Sequence, residues 1–276
     1  MQLIKFIKAH GLGNDFVIIP ATSQHITIES EQISAIANRR TGIGCDQLII
    51  IEKSNRADCK MTIFNADGSL AEACGNATRC VALIQMREKS AKSTSIEIND
   101  NIFTASLANG KVSVSMGKSE FTWSKIPLLR PLEDLAANYF LPLRDPHVVN
   151  IGNPHIVFFV DDFAAYDLQK LGPRIENDPL FPNRINVSLA RIIDQHNIEI
   201  RVWERGVGET SACGTAACAV AAIAVANKLT ACTVDIHFAS GVLSIDIAPD
   251  NSITMTGGAE IVFEGEYSHP PTVISA

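Results

Sequence analysis

Ala73-Cys74-Gly75-Asn76-Ala77-Thr78-Arg79-Cys80-Val81-Ala82-Leu83-Ile84 and Ala212-Cys213-Gly214-Thr215-Ala216-Ala217-Cys218-Ala219-Val220-Ala221-Ala222-Ile223 are identical at seven of their twelve positions. Their numbering differs by 213 minus 74, a constant offset of 139. Alanine richness inflates chance matching, but Gly13-Asn14 falls on Gly152-Asn153 at the same offset. A long period with only two copies reads as one domain written twice and related by a pseudo-twofold axis, not as a solenoid. The length of 276 residues fits two such domains.

Strand-like runs bounded by Gly, Asn and Asp recur through the first copy: Leu3–Lys8, Phe16–Ile19, Gln47–Glu52, Lys60–Phe64, Thr94–Ile98, Ile102–Leu107 and Lys111–Met116. Helices are expected at Glu31–Asn38 and from Gly75 to about Lys89. The second copy repeats the order, with strands at Ile156–Val160, Ile185–Ile193, Ile198–Trp203, Thr233–His237, Val242–Ile247 and Ile253–Thr256, and a helix from Gly214 to about Lys228.

The same offset pairs polar residues at expected strand ends: Asn14 with Asn153, Gln47 with Asn186, Asn65 with Glu204, and Asn76 with Thr215. Any one of these could simply populate a turn. Four matched pairs point to a ligand site built between the copies.

Cys74 and Cys213 each stand immediately before a glycine and a helix start. Free N–H groups and the helix dipole there favour negative charge, which lowers a thiol from about 8.5 toward neutrality. The amides of Gly75-Asn76 and Gly214-Thr215 form a cradle for a carboxylate. Two equivalent thiols on opposite faces of one carbon could remove a proton from one side and deliver one to the other, and the reverse reaction would exchange their roles.

Composition narrows the classes. Apolar residues make up 46% and charged residues 19%, a folding balance. The net charge of -7, with no basic run longer than Arg39-Arg40, argues against nucleic acid or an anionic membrane as partner. The longest run of small or apolar residues, Ala216–Ala226, has 11 members, too few to span a bilayer. Met1–Ala9 carries Lys5 and Lys8 and shows no cleavable-signal layout, so a cytoplasmic protein is expected. No two of the seven cysteines have zinc-knuckle spacing, and no metal site is expected. Cys45, Cys59, Cys80, Cys218 and Cys232 are assigned to apolar packing. His25, His147, His196, His237 and His269 are assigned no role.

His10-Gly11-Leu12-Gly13-Asn14-Asp15-Phe16, Gly42-Ile43-Gly44-Cys45-Asp46-Gln47, Phe64-Asn65-Ala66-Asp67-Gly68, Gly152-Asn153-Pro154-His155, Arg184-Ile185-Asn186-Val187 and Trp203-Glu204-Arg205-Gly206-Val207-Gly208-Glu209-Thr210, with the two cysteine motifs, resemble the diaminopimelate epimerase family in order and spacing from residue 8 to about 226. Ala77-Thr78 and Ala216-Ala217 depart from the glycine-containing versions often seen there, as helix formers past the amides that matter.

The resemblance implies an α+β fold of two pseudo-symmetric domains, each a mostly antiparallel β-sheet or barrel wrapped around a central helix. The copies are placed at residues 1–121 with the C-terminal tail 266–276, and at 122–265, with the active site in the cleft between them. The activity implied is a cofactor-independent interconversion of LL- and meso-2,6-diaminopimelate, on the bacterial route to lysine and peptidoglycan. Cys74 and Cys213 match the acid–base thiols, and His155 and Glu204 the groups assisting them. Arg205 matches the residue that pairs with the distal carboxylate, and Asn14, Gln47, Asn65, Asn153 and Asn186 match substrate contacts. The amides of Gly75-Asn76 and Gly214-Thr215 would hold the reacting carboxylate and stabilise carbanion charge. A homodimer is the expected assembly.

Rival readings remain. A proline or hydroxyproline racemase of the same fold uses two cysteines, but its substrate calls for no distal Glu204-Arg205 and asparagine set. A non-catalytic amino-acid-binding protein needs no matched thiols. A pyridoxal-phosphate racemase needs a Schiff-base lysine on a different architecture.

Overall fold

The computed structural model describes residues 2–24, 28–71 and 74–269. Ala73 of the repeat, His25 and residues 270–276 of the expected tail lie outside the described residues, as does the side chain of His269.

In chain order the elements are β1 (Gln2–Gly11), β2 (Asn14–Pro20), α1 (Ser30–Ala37), β3 (Gln47–Glu52), β4 (Cys59–Asn65), α2 (Gly75–Glu88), β5 (Ser93–Ile98), β6 (Asn101–Ala108) and β7 (Lys111–Lys118). They are followed by β8 (His147–Asn150), β9 (Pro154–Phe159), α3 (Leu168–Glu176), β10 (Asn186–Asp194), β11 (Asn197–Glu204), β12 (Gly208–Thr210) and α4 (Gly214–Ala226). The last strands are β13 (Thr233–Phe238), β14 (Gly241–Ile247), β15 (Ser252–Gly257) and β16 (Glu260–His269). The chain divides into two compact units, one of Met1–Val114 and the segment from Gly258 onward, the other of Ser115–Gly257.

The first unit has the strand order β16-β1-β2-β3-β4-β5-β6-β7, and the second β15-β14-β13-β11-β10-β9-β8, with β12 beside β11. Both are mixed sheets that are mostly antiparallel. The parallel pairs are β2 with β3 and β4 with β5 in the first unit, β9 with β10 and β11 with β13 in the second. Parallel neighbours need a crossover, and α1, α2, α3 and α4 supply it in the same order in each unit.

Duplication reaches the hydrogen-bonding register. Phe16 pairs with Gln47, and His155, its counterpart at the repeat offset, pairs with Asn186. Leu48 faces Phe64 as Val187 faces Trp203, again at the repeat offset. Past the long helices the offset grows by one, with Ser93 opposite Ser106 and Thr233 opposite Asp246.

Phe16, Val17, Ile18 and Ile19 of β2 are all buried, so both faces of that strand are covered. Val17 and Ile19 join Ile33 and Ile36 of α1 in one cluster. Phe16 and Ile18 point to the opposite face by the two-residue period of a strand, and α2 packs against β1, β2, β5 and β6. Twelve of the 14 residues of α2 and eleven of the 13 of α4 are buried. Helix α4 is apolar all round and so belongs inside, and its alanines let strands approach it closely. Each fully buried Ile or Val side chain contributes about 1.5–3 kcal/mol, so a charge at Val220 would be among the most damaging single changes.

Four elements were not expected. Helix α3 contains Gly172-Pro173, which reads as a breaker in sequence. Its helix survives because Leu168, Leu171 and Ile175 are buried against the second unit's core. Strands β8, β12 and β16 are short or charge-interrupted and find partners in β9, β11 and β1. Cys232 corrects the packing assignment, because it is exposed in the turn before β13. The other four assigned cysteines are buried, and burial raises Cys45 and Cys59 to about 11 and Cys80 to about 12.

Among the described residues no helix is long and apolar enough to cross a membrane.

Candidate active site

Each long helix begins on its cysteine. Cys74 and Cys213 are the N-cap residues of α2 and α4, both with extended backbone (φ -146° and -136°) and neither with a side-chain cap bond. The first intrahelical bonds run from Thr78 N–H to Cys74 C=O at 3.0 Å and from Ala217 N–H to Cys213 C=O at 3.1 Å. The amides ahead of these have no acceptor within their helix, which leaves them at the sulfur-bearing end as donors for an anion.

In the first unit Asn14, at the start of β2, meets the helix start. Its Oδ1 accepts from the Cys74 thiol at 3.5 Å and from Asn76 Nδ2 at 3.3 Å. Its Nδ2 donates to Asp46 Oδ2 at 2.9 Å. Asn76 Oδ1 accepts from the guanidinium of Arg79 at 2.8 Å. Arg79 is fully buried and also donates from Nε to the Gly258 carbonyl at 3.2 Å. Gly11 makes room for it, since a Cβ there would stand 3.1 Å from the guanidinium and 3.3 Å from Asn76. Gln47 and Asn65 form a second pair across β3 and β4, Gln47 Nε2 donating to Asn65 Oδ1 at 3.2 Å, while Gln47 Oε1 is buried with no protein partner.

The second unit repeats the arrangement with different chemistry. Asn153 Nδ2 donates to Thr215 Oγ1 at 3.4 Å, across the same 62-residue separation as Asn14 and Asn76. Thr215 Oγ1 lies 3.5 Å from Cys213 Sγ. Asn153 Oδ1 lies 2.8 Å from Nε2 of the fully buried His155, which occupies the position of Phe16 in the other copy. Asn186 donates from Nδ2 to the Pro154 carbonyl at 2.9 Å and accepts the Arg205 N–H at 3.0 Å. Arg205 donates to the Asn183 carbonyl at 3.0 Å. Glu204 accepts the Thr210 hydroxyl at 2.5 Å and is hydrogen-bonded to Cys213.

Electrostatics corrects one expectation. Cys213 is pushed well above the usual thiol range, first by burial and then by the Glu204 charge beside it, which together outweigh the helix start. Burial also raises Glu204. His155 is lowered to about 3, mainly by burial and further by the Arg205 cation, so its ring is neutral at pH 7 and donates Nε2–H to Asn153. A ring so hard to protonate is a poor acceptor for a thiol proton.

Three supporting residues escaped the sequence. Asp46 and Arg79 hold the asparagines of the first unit. Glu176, buried in the last turn of α3, accepts Gly206 N–H at 2.7 Å and Arg184 at 3.2 Å on one oxygen, and Trp203 Nε1 at 2.7 Å on the other. Arg79 sat inside the quoted repeat opposite Cys218, and a charged residue directly before the apolar run Cys80–Ile84 was the available signal. His147, His196 and His237 contact Phe159, the Thr233 carbonyl and Asn197 respectively. Among the described residues no cluster of His, Cys, Asp and Glu could hold a metal ion.

The duplicated strand order of the two units defines a class of fold that recurs in solved structures. A phenazine biosynthesis protein of the PhzF family from Bacillus anthracis superposes with a TM-score of 0.68 over 98% of this chain and 100% of its own, at 18% identity, a likeness of fold alone. The sequence is more specific. The family model described as Diaminopimelate epimerase matches residues 6–122 and 147–262. A curated diaminopimelate epimerase of Rhizorhabdus wittichii is 48% identical over 265 residues, 95% of each chain. One from Sphingopyxis alaskensis is 47% identical over 264 residues, 95% of this chain and 96% of its own. This chain belongs to the diaminopimelate epimerase family.

Proposed function

We propose that this protein is a diaminopimelate epimerase, an isomerase interconverting LL- and meso-2,6-diaminopimelate by moving one proton at one α-carbon. The observation that carries the reading is the matched pair of cysteines, each capping a buried helix and each beside a hydrogen-bonded side-chain pair, Asn14–Asn76 or Asn153–Thr215, at corresponding positions of the two copies. One thiolate removes the α-proton and becomes a thiol, leaving a carbanion. The other thiol donates its proton to the opposite face and becomes a thiolate, so the electrons balance with no oxidant or reductant. The reverse reaction exchanges the roles.

Cys74 and Cys213 are the proposed acid–base pair. Glu204, a carboxylate raised by burial and bonded to Cys213, serves as the local proton store for that sulfur. His155 holds Asn153 rather than acting as a base, and the Gly75-Asn76 and Gly214-Thr215 amides receive the reacting carboxylate. Asn14, Gln47, Asn65, Asn153 and Asn186 bind substrate polar groups, and Arg205 pairs with the distal carboxylate, for which a planar guanidinium is suited. A homodimer working in the cytoplasm on the route to lysine and peptidoglycan goes with this reading.

The test is incubation with LL-diaminopimelate in deuterated water without added cofactor. One deuterium is expected at one α-carbon of the meso product, and absence of exchange sinks the reading.

A further inference from the structure

The two asparagines next to Cys74 are each held by a charged group whose hydrogen-bonding sense is fixed. A guanidinium can only donate and an ionised carboxylate can only accept. Arg79 at 2.8 Å therefore requires an oxygen on the near side of Asn76, which turns Asn76 Nδ2 toward Asn14. Asp46 at 2.9 Å requires a nitrogen on the near side of Asn14, which turns Asn14 Oδ1 toward Asn76 and Cys74. The amide orientations thus follow from the chemistry of their partners.

Asp46 is itself anchored. Arg39 donates to Asp46 Oδ1 at 2.7 Å, and the backbone N–H of Asp15 donates to Asp46 Oδ2 at 3.1 Å. Asp15 is bound in turn by Arg39 at 2.6 Å and Lys8 at 2.5 Å, and those cations hold its carboxyl well below the usual range. The charged groups linked through these bonds to Asn14 and Asn76 are accordingly Lys8, Asp15, Arg39, Asp46 and Arg79. At the equivalent place in the second unit the amide is turned the other way, since Asn153 offers its nitrogen to Thr215 and its oxygen to His155.

We propose that Asp46 is a positioning residue that, with Arg79, fixes Asn14 so that its oxygen receives the Cys74 S–H, and that Cys74 is therefore the protonated thiol in the substrate-free protein, ready to donate in the direction of epimerisation in which it serves as acid. The proposal deepens the epimerase reading and rests on it for the role of Cys74 as a proton donor. In the other orientation Asn14 would offer an N–H and favour the thiolate, because a hydrogen bond donated to the charged form stabilises it.

The experiment follows carbamidomethylation of Cys74 by iodoacetamide in the substrate-free protein, read by mass spectrometry across pH, since the thiolate is the species that reacts. Asp46→Asn removes the carboxylate that fixes the Asn14 nitrogen, leaving the amide held on one side only, by Asn76. The midpoint of the profile is expected to move to lower pH and the rate at pH 7 to rise about tenfold, the equivalent of one pH unit. Asp15→Asn removes the same charge from the same cluster without touching Asn14 and is expected to move the midpoint much less. The Asp46 side chain is 45% exposed, and Asp46→Ser, which also lacks the carboxylate, is the second variant. Circular dichroism verifies folding of each.

An unchanged midpoint in Asp46→Asn and Asp46→Ser overturns the proposal. So does an equal shift in Asp15→Asn, or a faster reaction at every pH with no shift. Failure of diaminopimelate turnover leaves this measurement readable, and failure here leaves the epimerase reading standing.

Discussion

The Glu176 carboxylate accepts the Trp203 indole N–H at 2.7 Å, tying the last turn of α3 to the strand that ends at Glu204, just before Arg205. Its other oxygen takes the Gly206 N–H, so both sides of the Glu204-Arg205 turn hang on one buried carboxylate. Glu176→Ala strands these donors, each at a cost of about 1–3 kcal/mol. A clear drop in urea midpoint is expected, together with a rise in KM that exceeds the fall in kcat, because Arg205 is displaced before Cys213. Equilibrium unfolding and steady-state kinetics check both.

Packing around the same tryptophan gives a second expectation. A Cβ on Gly172 would stand 2.4–2.7 Å from Trp203 ring atoms, whereas one on Gly258 would meet nothing within 4 Å. Gly172→Ala is expected to destabilise by about 1–3 kcal/mol through overpacking. Gly258→Ala is expected to stay near wild type in the same melt.

The buried imidazole sets a pH dependence. His155 is lowered from the ordinary 6.5 to about 3, so the unfolded chain binds its proton before the folded one does. The stability from keeping it neutral is complete above about pH 6.5 and is lost as pH falls toward 3, by up to roughly 5 kcal/mol. Depressed carboxylates such as Asp15 act in the same direction. The difference between wild type and His155→Phe isolates the ring, and the variant's stability is expected to fall less steeply between pH 6 and 4 in denaturant titrations.

Loss of either thiol is expected to stop turnover. Cys74→Ala and Cys213→Ala should each reduce kcat by at least about 10²–10⁴-fold, the usual share of a positioned proton-transfer group. Cys213→Ala removes a buried sulfur of modest size, so a near-native melt is expected. Near-wild-type epimerisation by both single variants would refute the two-thiol mechanism.

Much of the fold was legible in the residues alone. Strand β3 spans the expected Gln47–Glu52 around its run of three isoleucines, Ile49–Ile51, and both helix starts follow from Cys-Gly at matched positions. The repeat offset carried real pairing information, since it recovers the registers of Gln47 and Asn186. Helix α3 was hidden by Gly172-Pro173, where burial of Leu168, Leu171 and Ile175 overrides a local breaker. Glu176 could not be read as a site residue because its partners are 27 and 30 positions away. The direction of the Cys213 shift was misread for a related reason. A helix start is visible in sequence, but complete burial next to a carboxylate is a property of the fold.

Both copies of the register are written on a single polypeptide. Position 65 is asparagine where its counterpart 204 is glutamate, position 16 is phenylalanine where 155 is histidine, and position 79 is arginine where 218 is cysteine. Two identical subunits related by a dyad could never differ in this way, because one codon would specify both sides. Tandem fusion lets each half accumulate its own acids and cations on a common scaffold, so a symmetric ancestor can evolve into a catalyst whose two hands are distinct.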